Sequence, residues 1–444
     1  MAFPSCLMLL FLACSFLFLS SSSLAKSATS PKQVYLPIYK DPTTLQYVTP
    51  IKQRTPLVPV RLTVDLGGRF LWTVCEKGYN STTIRSAGCG TTQCHLARTS
   101  KYCLICTWGQ VGSPGCTDAE TCWRYPLNTV TGNSSFGEVS TDIVAINSRD
   151  EKGRVGNGVT VHRFIFLCAT ASNAGGLAKG VVGMAGFGRT KISFPAQLAS
   201  ALNLNTRFGL CLSSSTTSNQ SGVVIFGDGP YNLNGNISSL LRYTSLITNK
   251  VGTGEEQIIR GEGLAEYFIG VKSIKIRNRT VKLNTTLLQI NNIGFGGTKI
   301  STVNPYTVLE TSIYNAVIRA FVNELKNVTR VPAVAPFGAC FSSRNIRNTR
   351  VGPSVPAIDL VMKEKNMVWT MYGANTMVRV NKDVLCLGFV DGGEPTYITS
   401  IVIGGHQLEE NLLTFDLERS RLGFSSSLLS QKTTCSNYKA VSYA

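Results

Sequence analysis

Apolar residues along most of the chain come in short runs cut by Gly, Asn, Ser and Pro. Examples are Gln33-Val34-Tyr35-Leu36-Pro37-Ile38-Tyr39, Arg61-Leu62-Thr63-Val64, Phe164-Ile165-Phe166-Leu167, Gly222-Val223-Val224-Ile225-Phe226 and Phe268-Ile269-Gly270-Val271. Runs so rich in β-branched and aromatic side chains suit a pleated, half-buried surface and predict an all-β protein with many turns. Helical spacing is rare. Ile313, Val317, Phe321 and Leu325 recur every four residues within Ser312 to Lys326, and a shorter helix is expected around Ala196 to Leu202.

One apolar stretch differs from the rest. Leu7 to Leu19 is uninterrupted and leads into a serine tract and Leu24-Ala25. This predicts a signal peptide over residues 1–25, although the only positive charge ahead of Lys26 is the amino terminus. No other segment approaches ~18 unbroken apolar residues, so no membrane association is expected after cleavage.

A weak internal repeat orders the strands. Asp65-Leu66-Gly67-Gly68 is followed by Gly180-Val181-Val182-Gly183-Met184-Ala185-Gly186, and Ile300-Ser301-Thr302-Val303 by Ile401-Val402-Ile403-Gly404-Gly405. Each half thus offers a turn able to face a central cleft, then an apolar-apolar-Gly strand about a hundred residues later. The 444 residues exceed one ordinary core, and two lobes, 26–240 and 241–444, are expected with the boundary within 227–263.

Composition narrows the compartment. Of 14 cysteines, Cys6 and Cys14 fall in the signal segment. The other twelve are Cys75, Cys89, Cys94, Cys103, Cys106, Cys116, Cys122, Cys168, Cys211, Cys340, Cys386 and Cys435. An even count in an exported chain implies six disulfides of open connectivity, with the Cys75 to Cys122 cluster stapling a loop-rich excursion. Cys103-Leu104-Ile105-Cys106 has no second CxxC, so bridging is expected and no metal or cofactor. Sequons at Asn80, Asn133, Asn219, Asn236, Asn278, Asn284 and Asn327 mark expected surface positions. The net charge of +18 comes from scattered Lys and Arg without a strongly basic run, which argues against nucleic acid, leaves an anionic polysaccharide or an acidic protein open, and would speed association with an acidic partner.

The duplication resembles the two-lobed pepsin-like fold of aspartic proteases, with Asp65-Leu66-Gly67-Gly68 where these carry Asp-Thr-Gly-Ser. Longer motifs are more specific: Val64-Asp65-Leu66-Gly67-Gly68-Arg69-Phe70-Leu71-Trp72, Phe187-Gly188-Arg189-Thr190, Tyr267-Phe268-Ile269-Gly270-Val271 and Pro336-Phe337-Gly338-Ala339-Cys340-Phe341. They resemble the plant family of extracellular dermal glycoprotein, xyloglucanase and xylanase inhibitors and basic 7S globulin.

The resemblance implies a damaged catalytic centre. Such a protease needs two carboxylates sharing one proton, one serving as base and the other as acid. Asp65 keeps one; Ser301 stands in the place of the other, and a serine hydroxyl cannot replace a carboxylate near neutral pH. Leu66 and Gly68 also lack the hydroxyls expected to join the turns and brace the carboxylate. Asp391-Gly392-Gly393 lies too close to Gly404-Gly405 to be the second turn. His95, His162 and His406 have no Gly-x-Ser-x-Gly elbow to serve. The function implied is inhibition of a microbial glycoside hydrolase, whose cleft presents two carboxylates. Matching inhibitory loops are Asn327-Val328-Thr329-Arg330-Val331, where Arg330 keeps a basic residue, and Asp391 to Ile398. The latter departs from the family: Ile398, next to Tyr397, stands where an arginine is usual, and the loop is one residue longer. Alternatives are an apoplastic binding protein for a peptide or wall polysaccharide, and an active aspartic protease.

Overall fold

The computed structural model describes residues 33–76, 78–97, 103–105, 120–149, 158–229, 231, 237–250, 265–393 and 399–437, all within one unit, Pro31–Ala444. The expected signal segment lies outside these residues.

Six antiparallel strands form a sheet shared by both halves of the chain. Its order is Gln33–Lys40, Gly222–Phe226, Arg207–Cys211, Asn411–Asp416, Arg421–Ser427 and Arg242–Ile247. Three early strands thus meet three late ones at the seam between Arg207–Cys211 and Asn411–Asp416. There Phe208 faces Phe415 and their rings stack at 4.7 Å; Tyr267 adds a ring 4.5 Å from Phe415 and donates its hydroxyl to Phe187 O at 2.7 Å. All four side chains are buried, each contributing roughly 1.5–3 kcal/mol by leaving water. Beside them Asp416, 1% exposed, accepts from Arg207, Arg419 and Arg421 at 3.0, 3.3 and 3.0 Å.

Above this sheet the repeat read from the sequence becomes geometry. In the first half Val58–Asp65 runs parallel to Gly183–Gly186, which is antiparallel to Leu71–Val74, itself parallel to Val159–Ala169. In the second half Thr298–Ile300 runs parallel to Ile401–Ile403, which is antiparallel to Thr307–Leu309, itself parallel to Phe389–Asp391. Every parallel and antiparallel relation recurs. The expected helices are present as Thr311–Glu324, with Ile313, Val317 and Phe321 buried, and Phe194–Leu202, with Pro195 in its first turn.

Among the described residues, nine of the expected cysteines are disulfide-bonded. The pairs are Cys75–Cys168, Cys94–Cys122, Cys211–Cys435 and Cys340–Cys386, and Cys89 is bonded too. Cys106 and Cys116 lie outside the described residues, as does the side chain of Cys103. The cysteine cluster is not purely local. Cys75 leaves it for Cys168, because Leu71–Val74 and Val159–Ala169 lie side by side with Thr73 opposite Cys168. Closing loops with sequence separations of 93 and 224 contributes on the order of 4–5 kcal/mol each in lost chain entropy.

Candidate functional site

Asp65 ends its strand 3% exposed, at the turn facing the second half. Its Oδ1 accepts from Gly67 N at 2.8 Å and its Oδ2 from the Thr129 hydroxyl at 2.7 Å. The carboxylate is therefore braced by a backbone N–H and a hydroxyl from another turn, while Leu66 and Gly68 supply none. Thr129 sits 64 positions away in a turn pinned by Asn128, whose Nδ2 donates to Asn173 O and Gly175 O at 2.8 Å each. Burial pushes the Asp65 carboxyl above its ordinary range, against the pull of Thr129 and Gly67, and neighbouring Glu266 raises it further. Gly68 has no room for a side chain: a Cβ there would lie 2.8 Å from Gly186 Cα and 3.0 Å from Asp65 Oδ2.

Ser301 occupies the matching turn, 6% exposed, with its N–H donated to Ile403 O at 2.9 Å. Its Oγ accepts from Val303 N at 3.2 Å and Asn304 N at 3.3 Å. The next residue joins the two halves. Thr302 Oγ1 accepts from Leu66 N at 3.2 Å and donates to Val64 O at 2.6 Å. Leu66, fully buried in the core, has no hydroxyl to return the contact. The bridge between the turns therefore runs one way.

Glu266 enters beside the Asp65 turn. A Cβ on Gly67 would stand 3.5 Å from both Asp65 Oδ1 and Glu266 Oε1, so the two acids are close neighbours. Lys299, two residues before Ser301, neutralises Glu266 at 2.5 Å. The mouth of the site thus holds a carboxylate fixed by a lysine and a second carboxyl capped by hydrogen bonds.

The two loops singled out in the second half meet around the Thr311–Glu324 helix. Arg330 is exposed on a strand, Arg330–Val331, where it faces Phe341, and its Nη2 reaches Gly338 O at 3.3 Å. Gly338 makes room for the Tyr314 hydroxyl, which would lie 2.2 Å from a Cβ there. Burial raises the Tyr314 pKa, with Asp391 adding to the rise, so the same tyrosine lies near both loops. Asp391 Oδ1 accepts from the Thr311 hydroxyl at 2.6 Å and from Gly393 N at 3.0 Å, which anchors its loop to the start of the helix. Tyr397 and Ile398 lie outside the described residues.

The remaining candidates are structural or peripheral. His406 Nδ1 faces Glu409 Oε2 and its Nε2 faces Met377 O, each at 3.2 Å. Glu409 also receives Lys40 at 2.5 Å and the Tyr47 hydroxyl at 2.8 Å, fastening the late motif to the first strands. The sequon residues Asn80, Asn133, Asn219, Asn278, Asn284 and Asn327 are exposed; Asn236 is outside the described residues. Among the described residues no three His, Cys, Asp or Glu side chains gather as a metal site, and no helix is long and apolar enough to cross a membrane. Sequence reasoning missed Thr129, Thr302, Glu266 and Tyr314. Only Thr302, adjacent to Ser301, carried a signal that could have found it.

Residues 47–228 match the family model described as xylanase inhibitor N-terminal, and 266–426 the one described as xylanase inhibitor C-terminal. A protein from Nicotiana benthamiana named probable aspartic proteinase GIP2 is 53% identical over 99% of both chains. The crystal structure of edgp superposes with a TM-score of 0.89 at 52% identity, covering 94% of this chain and 100% of the other. That of conglutin gamma, a basic 7S globulin from lupine seeds, gives a TM-score of 0.79 at 36% identity over 93% and 100%. The chain has the two-lobed pepsin-like fold of these relatives and belongs to the xylanase inhibitor family.

Proposed function

We propose that this protein is a secreted, proteolytically inert inhibitor of microbial glycoside hydrolases that cut xyloglucan or xylan in plant cell walls, a role in defence. The observation that carries the reading is the match of both halves to the xylanase inhibitor models. Disulfide bonding of nine cysteines fits an oxidising, extracellular setting. In the cleft, Ser301 stands where peptide hydrolysis would need a second carboxylate, and Asp65 is already capped by Gly67 and Thr129. Arg330, exposed beside the Asp391 loop, is the side chain to enter an acidic glycosidase cleft. The net charge of +18 speeds encounter with such an enzyme.

The test is a panel of fungal and oomycete xyloglucanases and xylanases assayed with the purified mature protein and Arg330→Ala. At least one enzyme is inhibited, and the variant loses about 2 kcal/mol of inhibition, while added salt mainly slows association. Ile398→Arg strengthens inhibition of a xyloglucanase if the altered second loop is what limits it. An equally potent Arg330→Ala protein removes this loop from the mechanism, and a panel without inhibition rejects the reading. Pepstatin-sensitive cleavage of an unfolded substrate by the unmutated chain would restore the protease alternative.

A further inference from the structure

A groove of about 470 Å3 opens on the first half, and none of its lining residues belongs to the Asp65 or Ser301 turns or to the Arg330 and Asp391 loops. That volume lies within the range of small-ligand sites, roughly 300–1,000 Å3. Its walls carry Arg85, His162 and Arg163, interleaved with the hydroxyls of Thr83, Thr91 and Thr141. No Phe, Tyr or Trp lines it.

The backbone is shaped to present these side chains. Strands Gly137–Arg149 and Val159–Ala169 change register between Asp142, opposite Phe164, and Val144, opposite Val161. His162 and Arg163 therefore stand against Ile143 alone, a bulge of the kind that re-aims side chains. Arg163 has φ 55°, a left-handed conformation unfavourable for an arginine and one that the surrounding fold must offset. Glycine would meet the same backbone demand without strain.

The positive charge is not neutralised within the groove. Among the described residues no carboxylate pairs with Arg85, His162 or Arg163; Arg85 Nη1 donates to Thr82 O and Ile84 O at 3.1 and 2.6 Å. The one acid present, Asp142, is 1% exposed and turned inward. Its oxygens accept from Tyr79, Ser81, Thr83 and Ile143 N at 2.8, 3.0, 2.6 and 2.8 Å. Arg85 and Arg163 lie on strands flanking Gly137–Arg149 from opposite sides. Two strand spacings, about 10 Å, separate their backbones, so guanidinium groups that extend along the trough can each meet its own carboxylate of an extended ligand.

We infer that this groove binds an anionic sugar chain, a short polyuronate whose carboxylates meet Arg85 and Arg163 and whose hydroxyls meet the threonines. Alternating charge and hydroxyl along an open trough is what a uronate chain offers. The site is independent of the inhibitor reading, and Arg330→Ala leaves its binding unchanged.

The test is calorimetric titration of the full mature chain with a short oligogalacturonate, a neutral xyloglucan oligosaccharide of similar length, and an acidic peptide. The oligogalacturonate binds, and the other two bind at least tenfold more weakly. Arg163→Gly keeps or raises the melting temperature, because glycine accepts the left-handed backbone, yet weakens oligogalacturonate binding tenfold or more. Arg85→Ala weakens it comparably. Full binding by Arg163→Gly, or equal binding of the neutral sugar or the peptide, overturns the proposal.

Discussion

The Asp65 and Ser301 turns close the same arrangement of strands, yet they are held in opposite ways. The Asp65 turn faces inward on itself. Its carboxylate takes Gly67 N and the Thr129 hydroxyl, both from the first half. The Ser301 turn reaches outward, with Thr302 both accepting from Leu66 N and donating to Val64 O. In a working protease pair each turn would need a carboxylate. Here one turn carries an acid, Asp65, and the other carries the crossing hydroxyl of Thr302.

Removing the crossing hydroxyl is the strongest way to break this comparison. Thr302→Val preserves shape but leaves Leu66 N–H and Val64 C=O, both buried, without that partner. Unsatisfied buried groups cost about 1–3 kcal/mol each, so the variant loses about 2–4 kcal/mol in denaturant unfolding. Ser301→Ala removes an acceptor of two longer bonds, at 3.2 and 3.3 Å, within a single turn, and loses about 1 kcal/mol. Equal losses for the two variants would mean that the turns are held alike.

Buried acids extend the contrast beyond the turns. Burial pushes the Glu138 carboxyl in the first half up to about 7, against hydrogen bonds from Ser86 and Thr121. In the second half burial also acts on Glu409, but His406 and Lys40 outweigh it and hold the carboxyl below the usual range. The signs are opposite. A raised carboxyl pKa means that the folded state holds its proton more tightly, so stability is lost as pH rises from the ordinary range through about 7. A depressed one gives stability that is present at neutral pH and lost as pH falls through the folded value. From pH 5 to pH 8 the wild type therefore loses on the order of 2–3 kcal/mol through Glu138, and Glu138→Gln flattens that slope. An unchanged slope in the variant would assign the pH response elsewhere.

How much of this was legible in the sequence depended on whether the signal was periodic or positional. The runs from Gln33 to Tyr39 and from Gly222 to Phe226 became neighbouring strands, and the four-residue spacing of Ile313, Val317 and Phe321 became a helix face. The repeat around Asp65 and Ser301 became two matching strand sets because each strand-turn unit is local. Thr129 was not legible, since its contact with Asp65 depends on a turn pinned from Asn173 and Gly175. The Cys75–Cys168 pair was hidden for a similar reason: parallel strands bring together residues that nothing in their spacing connects.

Placing an acid in the second turn sharpens the comparison with a smaller effect on stability. Ser301→Asp places a second carboxyl in a buried turn near Asp65, whose own carboxyl burial already raises. Like charges disfavour joint ionisation, so the variant is less stable at neutral pH by about 1–3 kcal/mol and recovers toward pH 3–4 as the pair takes up a proton. Catalysis does not return with it. Leu66 still offers no crossing hydroxyl, and Gly68→Ser cannot complete the turn, because its Cβ would press on Gly186 Cα at 2.8 Å. The measurement is unfolding at both pH values alongside cleavage of a denatured substrate. Pepstatin-sensitive turnover by Ser301→Asp alone would show that the second turn lacked only its carboxylate.

The smallest effect expected is at Asp65 itself. Asp65→Asn keeps an oxygen to accept from Gly67 N and an amide to meet the Thr129 oxygen, while removing a charge that burial disfavours. Because the folded carboxyl is raised, its ionised form costs stability as pH climbs, and that cost is absent where the group is protonated. Asn therefore raises the melting temperature slightly at pH 7 and leaves it unchanged near pH 3. A protease kept active through Asp65 would lose its turnover with this change, whereas an inert scaffold gains stability and inhibits its target as before. A fall in stability at pH 7 would show that the ionised carboxylate is needed to hold Thr129 in place.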